Sequence, residues 1–600
     1  DRLITAYQGN PVAQLTTGYN DTFESTVIAA LEFEQKLDFL TKGLRFKALG
    51  TFKNWSKSIN KYSAGWNKYL LGSYEQNEDG SYSYTTNRVG NEVSTDLNST
   101  NETAGDRRIY LEAMVDYNRT FGRHDVNAML LYNQDELVNN VPGNNLINSL
   151  PKRKQGLAGR LSYAYDGKYM AEVNMGYNGS ENFAKGHRWG FFPSIALGYN
   201  ISEESFFEPL RKVITSMKLR GSWGLVGNDQ IGGERFIYMP TINLSGKGFT
   251  TGIDQNYGLS GPVYTRYENN SITWEVGEKI NLGIDLQLLN SLNIVVDIFR
   301  ETRRDIFQKK GTIPTYLGTG NTDVFGNLAE MKNQGLDLSI DYNKAFSKDF
   351  YMNFKGTFTY AHNEITKYDE APKYAFQSKV GQSANVSQGY LSNGLFLDEA
   401  EIDRYNQQMG STLGAGDIKY LNVSNMHGYG DDIVDVDDWT WIGNPTVPEI
   451  VYGFGPSFKY KNWDFSFFFQ GVAKTSLFMS GFHPFGDNSL RNVLQFVAND
   501  RWSPTNQNVD AKYPRLTRKT SLNNTNPGNS GRTSDYWMRD GSFLKLKNME
   551  LGYTFKRMRF YISGSNLLTF SKFDLWDPEQ GGGSGLKYPT QRVFNVGFQM

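Results

Sequence analysis

The 600-residue chain has no cysteine, little proline (18 residues), five histidines and almost no net charge, with 62 Lys+Arg against 63 Asp+Glu. Zero cysteine excludes a disulfide scaffold, a thiolate metal centre, a cysteine nucleophile and a lipid-modified cysteine. Charge balance excludes the basic excess of a nucleic-acid binder, so no nucleic-acid partner is expected. No run reaches the ~18 apolar residues of a membrane helix. The opening DRLITAYQGN shows no initiator Met, basic region or apolar core of a signal peptide. His124, His187, His362, His427 and His483 share no metal or triad spacing. G-x-S-x-G, P-loop and H-E-x-x-H motifs are missing. No nucleophile and base can be paired, and the chain reads as a non-enzyme. What is abundant is aromatic: 36 Tyr and 39 Phe, beside 61 Gly. A 39% hydrophobic content argues against disorder. Length and a mean hydropathy of -0.53 suggest a soluble protein of about four domains. The aromatic excess does not fit that prior.

The dominant signal is period-2 alternation. Phe350, Met352, Phe354, Phe358 and Tyr360 share one face, and Tyr351, Asn353, Lys355, Thr357 and Thr359 the other. Leu282, Ile284, Leu286 and Leu288 alternate with Asn281, Gly283, Asp285 and Gln287, and Trp463, Phe465, Phe467 and Phe469 with Asp464, Ser466, Phe468 and Gln470. Leu336, Leu338, Ile340 and Tyr342 alternate with Asp337, Ser339 and Asp341. The phase slips near Lys547-Asn548, which predicts a β-bulge. This pattern predicts about 17 strands, the first near Thr26–Leu37. Glu203–Met217 is the best helical candidate.

Short connections (Asp38–Gly43, Thr120–Arg123, Asp166–Lys168, Asn290–Leu292, Ala345–Lys348, Lys461–Asn462, Phe555–Met558) alternate with long ones, of which Thr366–Pro448 and Thr475–Ser542 are the longest. Short periplasmic turns and long extracellular loops characterise outer-membrane barrels. A soluble multi-sheet protein alternates too, but it has no reason to put every long loop at one end. The expected fold is therefore all-β, a transmembrane antiparallel β-barrel. Single-chain bacterial barrels use even strand numbers, and an odd count of about 17 predicts that upstream strands lie outside this sequence.

Seven blocks carry a family resemblance: RWGFFPSIALGYNISEESFF (Arg188–Phe207), LRGSWGLVGN (Leu219–Asn228), ITWEVGEKINLGIDLQLLN (Ile272–Asn290), GDIKY (Gly416–Tyr420), IGNPTVPEIVYGF (Ile442–Phe454), YWMRDGSFLKLKNMELGYTF (Tyr536–Phe555) and ISGSNLLTFSKFDLWDPE (Ile562–Glu579). In this order they make the chain resemble the C-terminal part of SusC-type (SusC/RagA-like) TonB-dependent outer-membrane transporters. The resemblance implies that residues 1–600 are part of a 22-stranded barrel whose plug domain and first strands lie elsewhere. It implies a multi-pass protein of the Gram-negative outer membrane that imports oligosaccharide or peptide. The partners it implies are a SusD-like surface lipoprotein, TonB acting through the missing N-terminal part, outer-membrane lipid, and dimers of SusC–SusD pairs. A passive porin or barrel scaffold without energy coupling is the alternative. No cofactor is expected apart from Ca2+. The family's loop after GDIKY reads D-x-N-G-D-G-x-I-D, like a calcium loop, whereas this chain reads HGYGDDIVDVDD (His427–Asp438). Asp431, Asp435 and Asp438 remain as candidate Ca2+ ligands, while His427 and Tyr429 stand where Asp and Asn are usual.

The residues themselves leave that loop open between a hard-cation site and a plain acidic surface. Trp439, Trp441 and His427 are candidate substrate contacts, since exposed aromatic rings stack on sugars or grip apolar peptide side chains. Packing within an ordered loop is the competing reading. The polar-face residues Lys355, Asp285, Asp337 and Asp464 either meet a plug or solvate the interior. GGGSG (Gly581–Gly585) reads as a flexible loop.

Overall fold

The computed structural model describes residues 11–143, 146–232, 235–314, 316, 323–407, 413–430, 432–480, 494–516 and 533–600. Seventeen strands belong to one large sheet. They are β1 (Gly18–Lys36), β2 (Leu44–Ser63), β3 (Asn98–Phe121), β4 (His124–Asn139), β5 (Lys152–Tyr165), β6 (Tyr169–Ser180), β7 (Trp189–Asn200), β8 (Ile214–Asn228), β9 (Glu275–Leu288), β10 (Leu292–Lys309), β11 (Phe325–Ala345), β12 (Phe350–Lys367), β13 (Ile450–Tyr460), β14 (Trp463–Ala473), β15 (Phe543–Phe555), β16 (Met558–Ser571) and β17 (Val593–Gln599). The described helices are short, and none is long and apolar enough to cross a membrane.

The chain divides into two compact units. The first comprises Asp1–Tyr117, Met129–Gly159 and Asn178–Glu181. In it β2 lies between β1 and β3 in antiparallel ladders without a register break. Arg45 of β2 binds Asp116 of β3 at 2.9 Å, and Lys47 binds Glu32 of β1 at 3.0 Å. The second comprises Asn118–Ala128, Arg160–Tyr177 and Asn182–Met600. In it β7 through β17 pair in chain order, every ladder antiparallel.

Alternation sorts the side chains as the sequence predicts. Leu282 is 62% exposed and Val596 86% exposed. Ile298, Ile562 and Phe594 are exposed as well. A water-facing sheet would not carry so continuous a band of large apolar groups, whereas a lipid-facing one requires it. The opposite face is polar and internally paired. Arg220 of β8 donates to Asp285 of β9 (Nη2–Oδ1 2.8 Å) and reaches across β9 to Asp297 of β10 (3.0 Å). The residue it crosses is Gly283, where a Cβ would stand 2.5 Å from Asp297 and 2.8 Å from the guanidinium. The pattern recurs where Arg559 of β16 reaches over Gly552 of β15 to Asp464 of β14 (Nε–Oδ1 3.0 Å). Asp285 and Asp464 are thus held by arginines of the sheet itself, and Asp337 accepts from the Thr359 hydroxyl (2.6 Å).

Every short connection named above falls between consecutive strands. The tightest, of two residues each, are Gly122-Arg123, Lys461-Asn462 and Lys556-Arg557, with Gly122 at φ 63°, Lys461 at φ 53° and Lys556 at φ 56°. The predicted bulge is also present. Phe468 pairs with Asn548 and Phe469 with Leu546, leaving Lys547 as the extra residue. Two expectations are corrected. Glu203–Met217 is not a helix: two 3-10 turns, Ile201–Glu203 and Ser205–Leu210, precede β8, which already begins at Ile214. Pro209 lacks the N–H an α-helix would need there, and the apolar residues beyond it follow the strand period. The first strand starts at Gly18 rather than near Thr26.

Candidate functional site

Long connections of the second unit, between β12 and β13, β14 and β15, and β16 and β17, build a module with its own core. Tyr390, Leu395, Ile418, Tyr420, Val434, Leu477, Met479, Val497, Trp502, Tyr513, Trp537 and Phe573 form one buried cluster. These residues come from three loops without helical or strand periodicity, so no sequence pattern marks them as a core.

The GDIKY block now has a physical reading, residue by residue. Gly416 has φ 82°, and a Cβ there would meet the Trp502 ring at 2.4 Å. Asp417 is fully buried and takes a two-point hydrogen bond from Arg515 (Nε–Oδ1 2.5 Å, Nη2–Oδ2 3.1 Å). That carboxylate holds the Arg515 guanidinium above its ordinary pKa against the opposing effect of burial. Ile418 and Tyr420 are fully buried. Lys419 binds Glu401 at 2.7 Å and lies over the Tyr405 ring.

A second latch joins the module to the sheet. Lys545 of β15, fully buried, donates to Asp577 (2.6 Å) and Glu579 (2.7 Å), and the bulged Lys547 joins it at Glu579 (2.6 Å). Lys545 and Lys547, spaced i, i+2 on one strand, meet at the Glu579 carboxylate. Burial opposes ionisation of Asp577 and Glu579, but hydrogen bonds from Lys545, and for Glu579 also from Lys547, prevail and hold both below the usual carboxylate range. A depressed pKa stabilises the fold above the ordinary value, and that contribution is lost as pH falls through the folded value. Amide protection of residues 572–592, taken relative to the intrinsic exchange rate at each pH, is therefore expected to hold down to about pH 5 and to fall below it. Protection unchanged at pH 3 would refute the latch. The GGGSG stretch is also corrected here: Gly583 donates to Phe478 O (2.8 Å) and accepts from Ser480 N (3.0 Å), so it is stitched rather than flexible.

The candidate contact residues have different surroundings. Trp441 is half-buried in a short ladder with Gln388, and its Nε1 donates to Ser378 O (2.8 Å). Trp439 is exposed and stacks on Tyr390 at 6.1 Å. His427 stacks on Phe376 at 4.7 Å and 12°. Phe376 also stacks on Tyr374 (5.5 Å), and Tyr429 lies 4.3 Å from Tyr374. His427 thus belongs to a surface of four rings, of which Tyr374 and Phe376 were missed. Their only signal was the loop hexapeptide PKYAFQ (Pro372–Gln377). Lys373 pairs with Asp437, and Gln377 donates to Asp437 O (2.9 Å), fixing this segment beside the acidic loop.

Of the candidate Ca2+ ligands, Asp431 lies outside the described residues. Asp438 is fully buried and accepts from Ser424 N (2.9 Å) and Asp435 N (2.9 Å). Asp435 accepts from Asp437 N (2.8 Å). Both carboxylates cap backbone N–H groups. Among the described residues no group of three or more His, Asp or Glu converges as a metal site.

Comparison with known proteins places this architecture. Residues 4–567 match the family model of the TonB dependent receptor-like β-barrel. TonB-dependent receptor P3 of Formosa agariphila is 25% identical over 655 residues, covering 98% of this chain and 59% of the relative. TonB-dependent receptor SusC of Bacteroides thetaiotaomicron is 28% identical over 469 residues, covering 74% and 43%. The chain thus spans about half the length of these relatives. A solved structure of the RagAB peptide transporter superposes with TM-score 0.71 at 18% identity, covering all of this chain and 65% of that one. The chain belongs to the TonB-dependent receptor β-barrel family, with SusC-like relatives, and is an outer-membrane protein.

Proposed function

We propose that this chain forms barrel wall and extracellular loops of a TonB-dependent nutrient importer, and that oligosaccharide or peptide passes through it. The carrying observation is the cored module at the long-loop end, which holds an exposed aromatic surface over a sheet with a lipid-facing band. In this reading a SusD-like surface lipoprotein covers that module, and TonB supplies work through a plug outside residues 1–600. The chain performs no covalent chemistry. Tyr374, Phe376, His427, Tyr429 and Trp439 contact the cargo, because stacked rings offer flat apolar area to sugar faces and peptide side chains.

The test is uptake by cells carrying the whole parent gene, supplied with mixed oligosaccharides or a peptide digest as carbon source. Uptake is expected to stop when a protonophore collapses the inner-membrane gradient, and to stop when the upstream plug region alone is deleted from the parent gene. Uptake that survives both treatments would show a passive pore and overturn energised import.

A further inference from the structure

We propose that three adjacent hairpin ends, β11–β12, β13–β14 and β15–β16, form a binding ridge for anionic phospholipid headgroups in the leaflet at the short-turn end. The ridge is continuous: Lys461 N donates to Asp349 O (2.7 Å) and Thr554 N to Asn462 O (2.8 Å), tying each turn to the next. Every turn places an ammonium over an aromatic ring of the apolar side. Lys344 lies over Phe346, Lys461 over Tyr460 and Lys556 over Phe555, each at 5.5 Å. All three rings are about half exposed. Lys348 and Arg557 add two more exposed cations, against the single acidic turn residue Asp349. Whereas Arg220 and Arg559 bind carboxylates within the sheet, none of these five cations forms an ion pair among the described residues. A fourth unit of the kind, Arg119 over Phe121 (4.6 Å), marks the β3–β4 turn.

The backbone gives an independent indication. Lys461 and Lys556 occupy the left-handed region, where Gly or Asn is the easier residue. Two charged residues held at such positions point to a use for the charge. Ammonium groups pinned against rings at the edge of a lipid-facing band sit at headgroup depth, and a phosphate is the anion available there. The inference depends on membrane placement alone and not on import.

The test uses the full-length protein in nanodiscs of equal parts phosphatidylglycerol and phosphatidylcholine, with native mass spectrometry of retained lipid. The wild type is expected to retain phosphatidylglycerol preferentially. The triple variant Lys344→Gln/Lys461→Asn/Lys556→Asn is expected to lose that preference, by roughly fivefold per cation removed. Asn suits the two turn positions better than Lys, so the loss cannot be assigned to unfolding. Equal retention of both lipids by the wild type would overturn the proposal, and so would full enrichment in the variant. Competition by soluble glycerophosphate as effective as that by bilayer lipid would overturn it in favour of a free-phosphate site.

Discussion

Arg515→Leu is expected to destabilise the loop module by about 3–5 kcal/mol, because it leaves a buried carboxylate without its cation. Asp417 has no exposed surface, and its other contacts include Gly414 N at 2.9 Å. The Gly414 N–H, a neutral donor, does not replace a two-point guanidinium. The strand sheet should survive, since neither residue belongs to a ladder. The loss should appear as faster proteolysis and amide exchange in residues 390–420 and 494–516, with heat-modifiable migration of the barrel unchanged. The double variant Arg515→Leu/Asp417→Leu should recover much of the loss, because replacing both charges by apolar groups removes the uncompensated ion. If the single variant is as protected as wild type, the pair is not what holds the module.

The second large effect is on the sheet. Phe354→Arg should cost about 2–4 kcal/mol, the range for a cation near the bilayer midplane on a lipid-facing position. Phe354 shares its face with Tyr342 and Pro456, its register partners in β11 and β13. Lys355→Glu, one residue on, faces the other way. It lies 4.0 Å from Asp341 with a largely exposed side chain, so charge reversal should cost under about 1 kcal/mol. Urea titration of folding into vesicles measures both. Equal costs would mean that the two faces are assigned wrongly.

Legibility followed locality. The strands were readable because period 2 is a property of neighbours, and a one-residue slip at Lys547 showed as a break in phase. Turns were readable because two-residue connections leave no room for anything else. The loop module was not readable: Asp417 and Arg515 are 98 positions apart, and nothing in either neighbourhood announces the other. The acidic loop shows the converse. Its carboxylate spacing suggests a metal; in the structure Asp435 accepts from Asp437 N, and Asp438 from Asp435 N and, 14 positions back, from Ser424 N. Short-range hydrogen bonds compete with ion binding for the same lone pairs. Trp441 was chosen for its type, and the ladder with Gln388 that half-buries it lies far away in sequence.

The arginines that cross a glycine have a consequence for how such a sheet can vary. Arg220 requires two things at once: a carboxylate two strands away, and no Cβ on the strand between. The three positions Arg220, Gly283 and Asp297 stand on a single rung, so a substitution at any one of them breaks the reach across the middle strand, and one at Gly283 or Asp297 leaves Arg220, of these two carboxylate contacts, only that with Asp285. Such triplets should therefore change together among related sequences. Where they are kept, they mark which residues of three successive strands lie side by side, a register that hydrophobic alternation alone leaves ambiguous by steps of two.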